Sequence, residues 1–497
     1  MFEKILIANR GEIAVRVIQT CKDMGIKTVA VYSEADETAL HRIEADEAVF
    51  IGPADPGKSY LNMDRIIEAA KETQAQAIHP GYGFLSENYE FAQKCADADI
   101  IFIGPSAKVI RDMGDKLTAR QIMIDADVPV IPGLPGKEYT ITDMLEKADE
   151  MGYPVLIKAS AGGGGKGIRV VNSPGEMNEA LEAASREAVN AFGDGRVYLE
   201  KFFTQARHIE FQVLADDHGN TIHLLERECS IQRRHQKIIE ETPSMAVDPD
   251  LRERMGRAAC DAARAAEYVN AGTVEFLLDN KGHFYFLEMN TRLQVEHPVT
   301  ECVTGVDLVR QQILVASGRP LALRQDDIFA RGHSIECRIY AEDPENGFFP
   351  SPGKIEYYEA PSGPGIRNDA GVYTGAVVPV EYDPILSKLT VHAETRDQAI
   401  SKMIKALANY VVIGVRTPVD FLADVLDCEA FRNAEVFTDF IDTHFSDWSP
   451  SGNDTDLACL AFIADELCAK QSASLVQAGH PGTAGNNPFE TLGNWKL

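Results

Sequence analysis

Two short β-rich runs, Lys4-Ile-Leu-Ile-Ala8 and Lys27-Thr-Val-Ala-Val-Tyr32, flank a helical pattern from Glu12 to Met24 that Gly25 closes. Two strands joined through a helix make a βαβ unit, which commits the start of the chain to a parallel sheet. Further strand signals at Ala77–His79 and Ile100–Ile103 extend the α/β region to about residue 105. Asn9-Arg10-Gly11-Glu12 follows the leading strand where a dinucleotide-binding enzyme needs a glycine-rich turn, which counts against a dehydrogenase.

A helical linker over 106–129 carries Met113-Gly114-Asp115-Lys116, and Pro129, Pro132, Gly133, Pro135 and Gly136 mark a break. A small domain is expected over 130–203. In it the strand-like Pro154-Val-Leu-Ile-Lys158 precedes Gly162-Gly-Gly-Gly165-Lys166-Gly167, and another β-rich run follows. A Walker loop needs a helix next and Ser or Thr after the lysine, and a dinucleotide fingerprint also opens a helix, so both readings fail. What remains is a flexible hairpin whose N–H groups can close over phosphates, with Lys158 and Lys166 to neutralise them; the bland alternative is a glycine-rich surface turn.

A larger region is expected over 204–447. Its most informative stretch is Glu288-Met-Asn290-Thr-Arg292-Leu-Gln294-Val-Glu296-His297-Pro298. With Gly272–Glu288 it resembles two strands joined by a tight turn at Gly282. A two-residue Lys281-Gly282 loop would set Glu275 opposite Glu288. Like charges opposed on adjacent strands are destabilising unless neutralised, and strand alternation puts Asn290 on the Glu288 face, so a hard-oxygen site for Mg²⁺ or Mn²⁺ is expected. A solvated hairpin face is the alternative. Gln232-Arg-Arg-His235-Gln-Lys237 adds four basic or histidine side chains to a chain of formal charge −28. That overall charge argues against nucleic acid or anionic membranes as partners, and a local basic cluster beside carboxylates suits an anionic substrate.

No apolar run approaches a membrane span, no leader-like segment precedes the opening strand, and the nine cysteines lack paired spacing. A cytoplasmic protein with reduced thiols is expected.

Ile7-Ala-Asn-Arg-Gly-Glu12-Ile13-Ala14, His79-Pro-Gly-Tyr-Gly-Phe-Leu-Ser-Glu-Asn88, Gln232–Lys237 and Glu288–Pro298 resemble the corresponding strings of the biotin carboxylases, members of the ATP-grasp superfamily. The resemblance spans residues 1 to about 447. It implies an α/β (α+β) ATP-grasp fold, with a Rossmann-like parallel-sheet domain, a small lid carrying the glycine hairpin, and a larger domain built on an antiparallel sheet.

The resemblance also implies an ATP-dependent ligase that carboxylates biotin with bicarbonate through carboxyphosphate, using Mg²⁺ or Mn²⁺ as two ions. ATP would be held by Lys116, Lys158, Gly163, Gly164, Gly165, Lys166, the hinge residues Glu200, Lys201 and Phe203, and His208, Gln232, His235, Glu275 and Glu288. The metal set would be Glu275, Glu288 and Asn290. Bicarbonate would meet Lys237, Arg292, Gln294, the Val295 N–H and Glu296, with Glu296 as the base. Arg338 would stabilise the biotin enolate or pair with Glu296 or Glu336, and Asp383 would lie near biotin. Phe437-Thr438-Asp439 would lie by the adenine pocket.

Residues 448–497 go beyond this likeness, with linker-like ends around an amphipathic helix near Thr455–Lys470, and are a candidate for docking a partner. No Ala-Met-Lys-Met motif is present, so biotin is expected on a carrier protein, with a carboxyltransferase on a further chain and the chain itself a homodimer. Another ATP-grasp ligase of the carbamoyl-phosphate type, or a silent nucleotide-binding scaffold, are the competing readings. Glu296 with Arg338 and the Gln232–Lys237 string favour biotin, and retention of the metal, bicarbonate and base positions speaks against a scaffold.

Overall fold

The leading βαβ unit forms as its pattern requires. Strand β1 (Lys4–Ile7) passes through Gly11, at φ +64°, into the helix Gly11–Asp23 and on to β2 (Lys27–Ser33), which pairs parallel to β1 from Lys4↔Lys27 to Ile7↔Ala30. With β3 (Glu47–Gly52), β4 (Ala77–His79) and β5 (Ile101–Phe102) it makes a five-stranded parallel sheet in the order β3-β2-β1-β4-β5. The apolar face of the helix (Ile13, Ala14, Val17, Ile18) packs on Ile5 and Ile7, and that core continues into Leu214, Ile222, Leu224 and Leu293 far along the chain.

The computed structural model describes residues 1–134, 140–159, 168–234 and 236–450. Gly163, Gly164, Gly165, Lys166 and His235, and the expected helix near Thr455–Lys470, lie outside the described residues.

The helices Ala107–Gly114 and Lys116–Asp125 follow, each opened by a side-chain cap, Ser106 and Asp115. Three antiparallel strands come next in the order β7-β6-β8: β6 (Val155–Ala159), β7 (Ile168–Val171) and β8 (Val197–Lys201). The two strands that flank the glycine run thus fall where expected. Helices Ile141–Met151 and Met177–Phe192 cover this small sheet, and Leu134, Met144, Ala148, Val155, Ile157, Val171, Met177, Leu181, Ala184 and Leu199 give it a core of its own.

The rest builds on one eight-stranded sheet. Its strands are β9 (Ala206–Ala215), β10 (Thr221–Arg233), β11 (Gln236–Thr242), β12 (Asn270–Asp279), β13 (Phe284–Asn290), β14 (His333–Tyr340), β15 (Ile366–Ala370) and β16 (Ile385–Ala393). They run in the order β13-β12-β9-β10-β11-β14-β16-β15, every pair antiparallel. The two sheet types match the α/β (α+β) expectation, and residues 1–448 form one compact unit.

The β12–β13 turn differs from the expected one. Asp279 N–H donates to the His283 carbonyl, so the loop is the three residues Asn280–Gly282, with the Asp279 carboxylate accepting from the N–H groups of Lys281 and His283. A bulge then leaves Leu287 without a partner between Phe276↔Phe286 and Glu275↔Glu288.

Candidate active site

The site is a row of charges across the middle of the large sheet. Glu288 on β13 opposes Glu275 on β12, Glu275 opposes Glu210 on β9, and Glu210 opposes Arg227 on β10. Glu210 and Arg227 expose no surface and Glu275 only 4%. Charges this far from water must be paired and hydrogen-bonded to be tolerated.

The pairing is dense. Arg227 donates through Nε to Glu210, through Nη1 to Gln212 and Thr300, and through Nη2 to Thr273 and Gln294 at 3.0 and 2.6 Å. Gln294 hands on the link by donating to Glu275 at 2.8 Å. Lys237, reaching in from β11, stands 2.5 Å from Glu210, 2.9 Å from Glu275 and 2.7 Å from Glu296. Burial works against its charge, yet the three carboxylates win and raise the ammonium well above its ordinary value.

His208 Nε2 lies 3.0 Å from Glu275, and Gln232 donates to His208 Nδ1 at 2.9 Å, which fixes the ring proton on Nε2. Burial disfavours the imidazolium, but Glu275 outweighs it and raises His208.

Among the described residues, Glu288 is the carboxylate of this row without a hydrogen-bonded or ion-paired partner. Burial and the facing Glu275 raise it, and only the charge of Lys116, at the start of the helix Lys116–Asp125, pulls the other way strongly. A divalent cation between Glu275 and Glu288 would relieve that repulsion, and Asn290, which donates to Glu275 at 2.8 Å, adds a further oxygen, so the donor set fits Mg²⁺ or Mn²⁺. Among the described residues His208, Glu210 and Glu275 also bring ligand atoms within 4.8 Å of one another.

Glu296 stands just before the helix His297–Thr304 without a side-chain capping bond and is 1% exposed. It sits between two cations: Lys237 on one oxygen and Arg338, from β14, on the other at 2.9 Å. Burial raises a carboxyl, but Lys237 and Arg338 hold this one well below its usual range. Arg338 takes Glu240 as its other partner, with Nε 2.6 Å from Oε1, rather than the expected Glu336.

Arg292 donates to Glu87 at 2.9 Å and to Asn290 at 2.8 Å. Lys158 pairs with Glu200 at 2.7 Å, and Arg120 approaches the same carboxylate at 3.5 Å. Lys201 donates to the Gly152 carbonyl at 2.7 Å, and Phe203 stacks on Tyr285 with ring centres 5.2 Å apart. Val295 is half-buried in the turn before Glu296. Asp383 stays outside the network: it is exposed, accepts from the Ile385 N–H, and lies in a cleft lined by Arg10, Asp36 and Pro379. Thr438 donates its N–H to Ala206 at the foot of β9, and Arg207 lies over Phe437.

Glu87, Glu210, Arg227 and Glu240 belong to this network and carried no role in the sequence reading. The signal was present for Arg227, an arginine inside the otherwise buried strand β10, and for Glu210, two residues from His208 and therefore on its face.

Residues 1–110 match the biotin carboxylase N-terminal domain, 115–324 the ATP-binding domain of the carbamoyl-phosphate synthase L chain, and 336–443 the biotin carboxylase C-terminal domain. A biotin carboxylase of a Nostoc species is 54% identical over 440 residues, covering 88% of this chain and 98% of that one. The chain belongs to the biotin carboxylase family. Biotin carboxylase 1 of Bacillus subtilis is 52% identical over 445 residues, covering 89% of this chain and 99% of that one. Among solved biotin carboxylase structures, the domain dimer of Hydrogenobacter thermophilus 2-oxoglutarate carboxylase, bound to MgADP, ADP and bicarbonate, superposes with a TM-score of 0.86 at 48% identity, covering 90% of this chain and 99% of that one.

Proposed function

We propose that this chain catalyses the ATP-dependent carboxylation of biotin by bicarbonate, giving ADP, phosphate and carboxybiotin, and that the charged row on the large sheet is where it does so. The observation that carries the reading is Glu296 gripped between Lys237 and Arg338, one end toward the Glu275–Glu288 pair and the other toward an arginine that pair does not use. A nucleotide site alone needs neither Glu296 nor Arg338.

Each residue then has a proposed role. Lys116 and Lys158 neutralise ATP phosphates, with the glycine loop 163–166 closing over them as part of a lid domain, 130–203. Glu200, Lys201 and Phe203 form the adenine hinge, and His208, Gln232 and His235 line the nucleotide. A divalent cation held by Glu275, Glu288 and Asn290 would draw negative charge from the phosphates.

Arg292, Lys237, Gln294 and the Val295 N–H present donors to the oxygens of bicarbonate. Glu296 takes the bicarbonate proton. So strongly held a carboxylate is a weak base, and arrival of the bicarbonate anion must draw Lys237 and Arg338 partly away, raising Glu296 toward a working value. The freed oxyanion attacks the γ-phosphorus, the bond to ADP breaks, and carboxyphosphate forms. Its phosphate, on leaving as CO₂ is released, takes the proton from the biotin ureido nitrogen, Arg338 faces the enolate oxygen that develops, and the nitrogen then attacks CO₂ to form the C–N bond of carboxybiotin. Asp383, in the cleft with Arg10 and Asp36, is proposed to lie near bound biotin.

The family supplies the biotin carboxylase components of larger carboxylases, so a biotin carboxyl carrier protein and a carboxyltransferase are proposed as partners. The dimer of the 2-oxoglutarate carboxylase domain supports a homodimer here. Among the described residues no helix is long and apolar enough to cross a membrane, and the seven cysteines there are all free, consistent with a cytoplasmic site of action.

The test is Mg·ATP hydrolysis with bicarbonate, with and without free biotin, following ADP and carboxybiotin. Biotin-stimulated ADP release with carboxybiotin formation is expected. Hydrolysis indifferent to biotin would return the chain to another ligase class.

A further inference from the structure

The sheet face that carries Arg338 holds more charge than the reaction uses. Glu336 and Arg338 are two residues apart on β14 and share a face. Glu240 on β11 lies directly opposite Glu336, and Lys388 on β16 directly opposite Arg338. Glu240, Glu336 and Lys388 are all 0% exposed.

Two carboxylates directly opposed in a dry interior cannot both be ionised without a cation for each. Among the described residues neither nearby cation forms an ion pair with Glu336, although Lys388 Nζ is itself buried without a hydrogen-bond partner. Lys388 Nζ lies 3.2 Å from Glu12, and Asp369 faces it from β15. Arg338 gives its Nε to Glu240 and its terminal nitrogen to Glu296. Glu336 is left with the Thr390 hydroxyl, which donates to it at 2.8 Å. Glu240 Oε2 and Glu336 Oε1, on opposed residues, are both buried and have no hydrogen-bond partner among the described residues.

Burial raises Glu336 well above the ordinary carboxyl range against the pull of Lys388, and Glu240 opposite adds to the rise. Burial also pushes Glu240 up to about 7 against Arg338. Among the described residues the other ionisable groups around the pair and its arginine include Lys237 on β11, Cys337 and Tyr340 on β14, Cys229 on β10, Cys302 on the helix His297–Thr304 with Glu296 just before it, and Glu12 on the leading helix.

We propose that Glu240 and Glu336 act as a carboxyl pair sharing one proton that positions Arg338 for the biotin half of the reaction. Ionised Glu240 fixes the plane of the guanidinium. Neutral Glu336 withholds a further negative charge, so the arginine is oriented without being spent and its remaining N–H groups serve the developing enolate. Both are positioning residues acting through Arg338. The inference rests on the reading of Arg338 given above.

Glu240 and Glu336 are opposed and equally buried, and a loss that is only structural would show in melting and in both activities together. A one-proton pair makes them unequal, because glutamine is a neutral stand-in for a protonated glutamate but not for an ionised one. In the full chain with free biotin, Glu336→Gln is expected to keep biotin carboxylation within about threefold of wild type, whereas Glu240→Gln loses about tenfold or more in kcat. Bicarbonate-dependent ADP release without biotin should stay within about threefold in Glu336→Gln, and in Glu240→Gln it should fall clearly less than biotin carboxylation does, since Lys237 still holds Glu296. Glu240→Asp keeps the charge and shortens its reach, and it carries the same comparison if Glu240→Gln does not fold.

Equal losses in the two glutamine variants, wild-type carboxylation in the Glu240 variants, or a loss shared equally by biotin-free ADP release would each overturn the proposal. Arg338→Gln, measured in parallel, separates the two levels. Unchanged carboxylation there would sink the role of Arg338 itself, while a large loss there with equal Glu240 and Glu336 effects would sink the carboxyl pair alone.

Discussion

Glu275 and Glu288 face each other directly across β12 and β13, and a bulge at Leu287 restores that register after a three-residue turn. The two members of the pair are unequal: Glu275 also holds Lys237, His208, Asn290 and Gln294, whereas Glu288 is raised by burial and by Glu275, a repulsion that the proposed cation would relieve. Glu288→Gln should therefore remove a metal ligand without unpairing the network. The free Mg²⁺ needed for half-maximal ADP release should rise about tenfold or more, with the melting temperature nearly unchanged. An unchanged Mg²⁺ requirement would remove Glu288 from the metal site.

The same hairpin shows what the sequence could and could not convey. Facing glutamates were legible from strand alternation and turn residues, although the turn itself was misread. Gly282 marked a tight loop, but Asp279, whose carboxylate accepts two N–H groups, makes it three residues long, and the bulge adds one residue to β13 so that the offset cancels. Period-two patterning fixes which face a residue takes, and it carries no information about a bulge. The partners of Arg338 illustrate the remaining gap. Glu336 is its neighbour in sequence and on its face, yet the guanidinium turns to Glu240, from a strand 98 residues away in the chain. Which of several buried carboxylates receives a cation is decided by sheet order, and sheet order is not local.

Lys237 is the common cation of three carboxylates from three elements, and none of Glu210, Glu275 and Glu296 is more than 4% exposed. Removing one partner of a buried charge cluster costs about 3–5 kcal/mol because it strands the others. Lys237→Met should lower the melting temperature measurably and reduce bicarbonate-dependent ADP release by about a hundredfold or more, since a bicarbonate donor and the counterion of the base go together. A variant that loses activity with no change in melting would show that the cluster is balanced elsewhere.

Glu87 reaches Arg292 from the loop after β4, crossing from the parallel-sheet region to the large sheet with a 2.9 Å bond to Nε and a further contact at 3.1 Å to the Thr291 N–H. On the proposed reading of Arg292, it sets the angle at which the guanidinium would meet bicarbonate. Glu87→Gln should keep a hydrogen-bond acceptor but lose the charge, raising KM for bicarbonate by about three- to tenfold while kcat and KM for ATP change little. An effect confined to ATP affinity would contradict the placement of Arg292.

Stability should fall in mild acid, and His79 is one reason. Its Nδ1 accepts the Gly81 N–H at 3.0 Å and its Nε2 lies 3.2 Å from the Gln312 side-chain oxygen, so the neutral ring with its proton on Nε2 satisfies both neighbours. Full burial lowers its pKa to about 4, against about 6.5 for an exposed histidine. Between these values the unfolded chain binds a proton that the folded one refuses, so stability is lost as pH falls from 6.5 toward 4, by up to about 3 kcal/mol for this residue. His41 and His223, both lowered to about 4 chiefly by burial, act in the same direction. His79→Gln can still accept from Gly81 and donate to Gln312 but cannot titrate. Urea unfolding at pH 7.0, 5.5 and 4.5 should therefore show a shallower loss for the variant than for wild type, and parallel losses would mean that His79 is already protonated in the folded state.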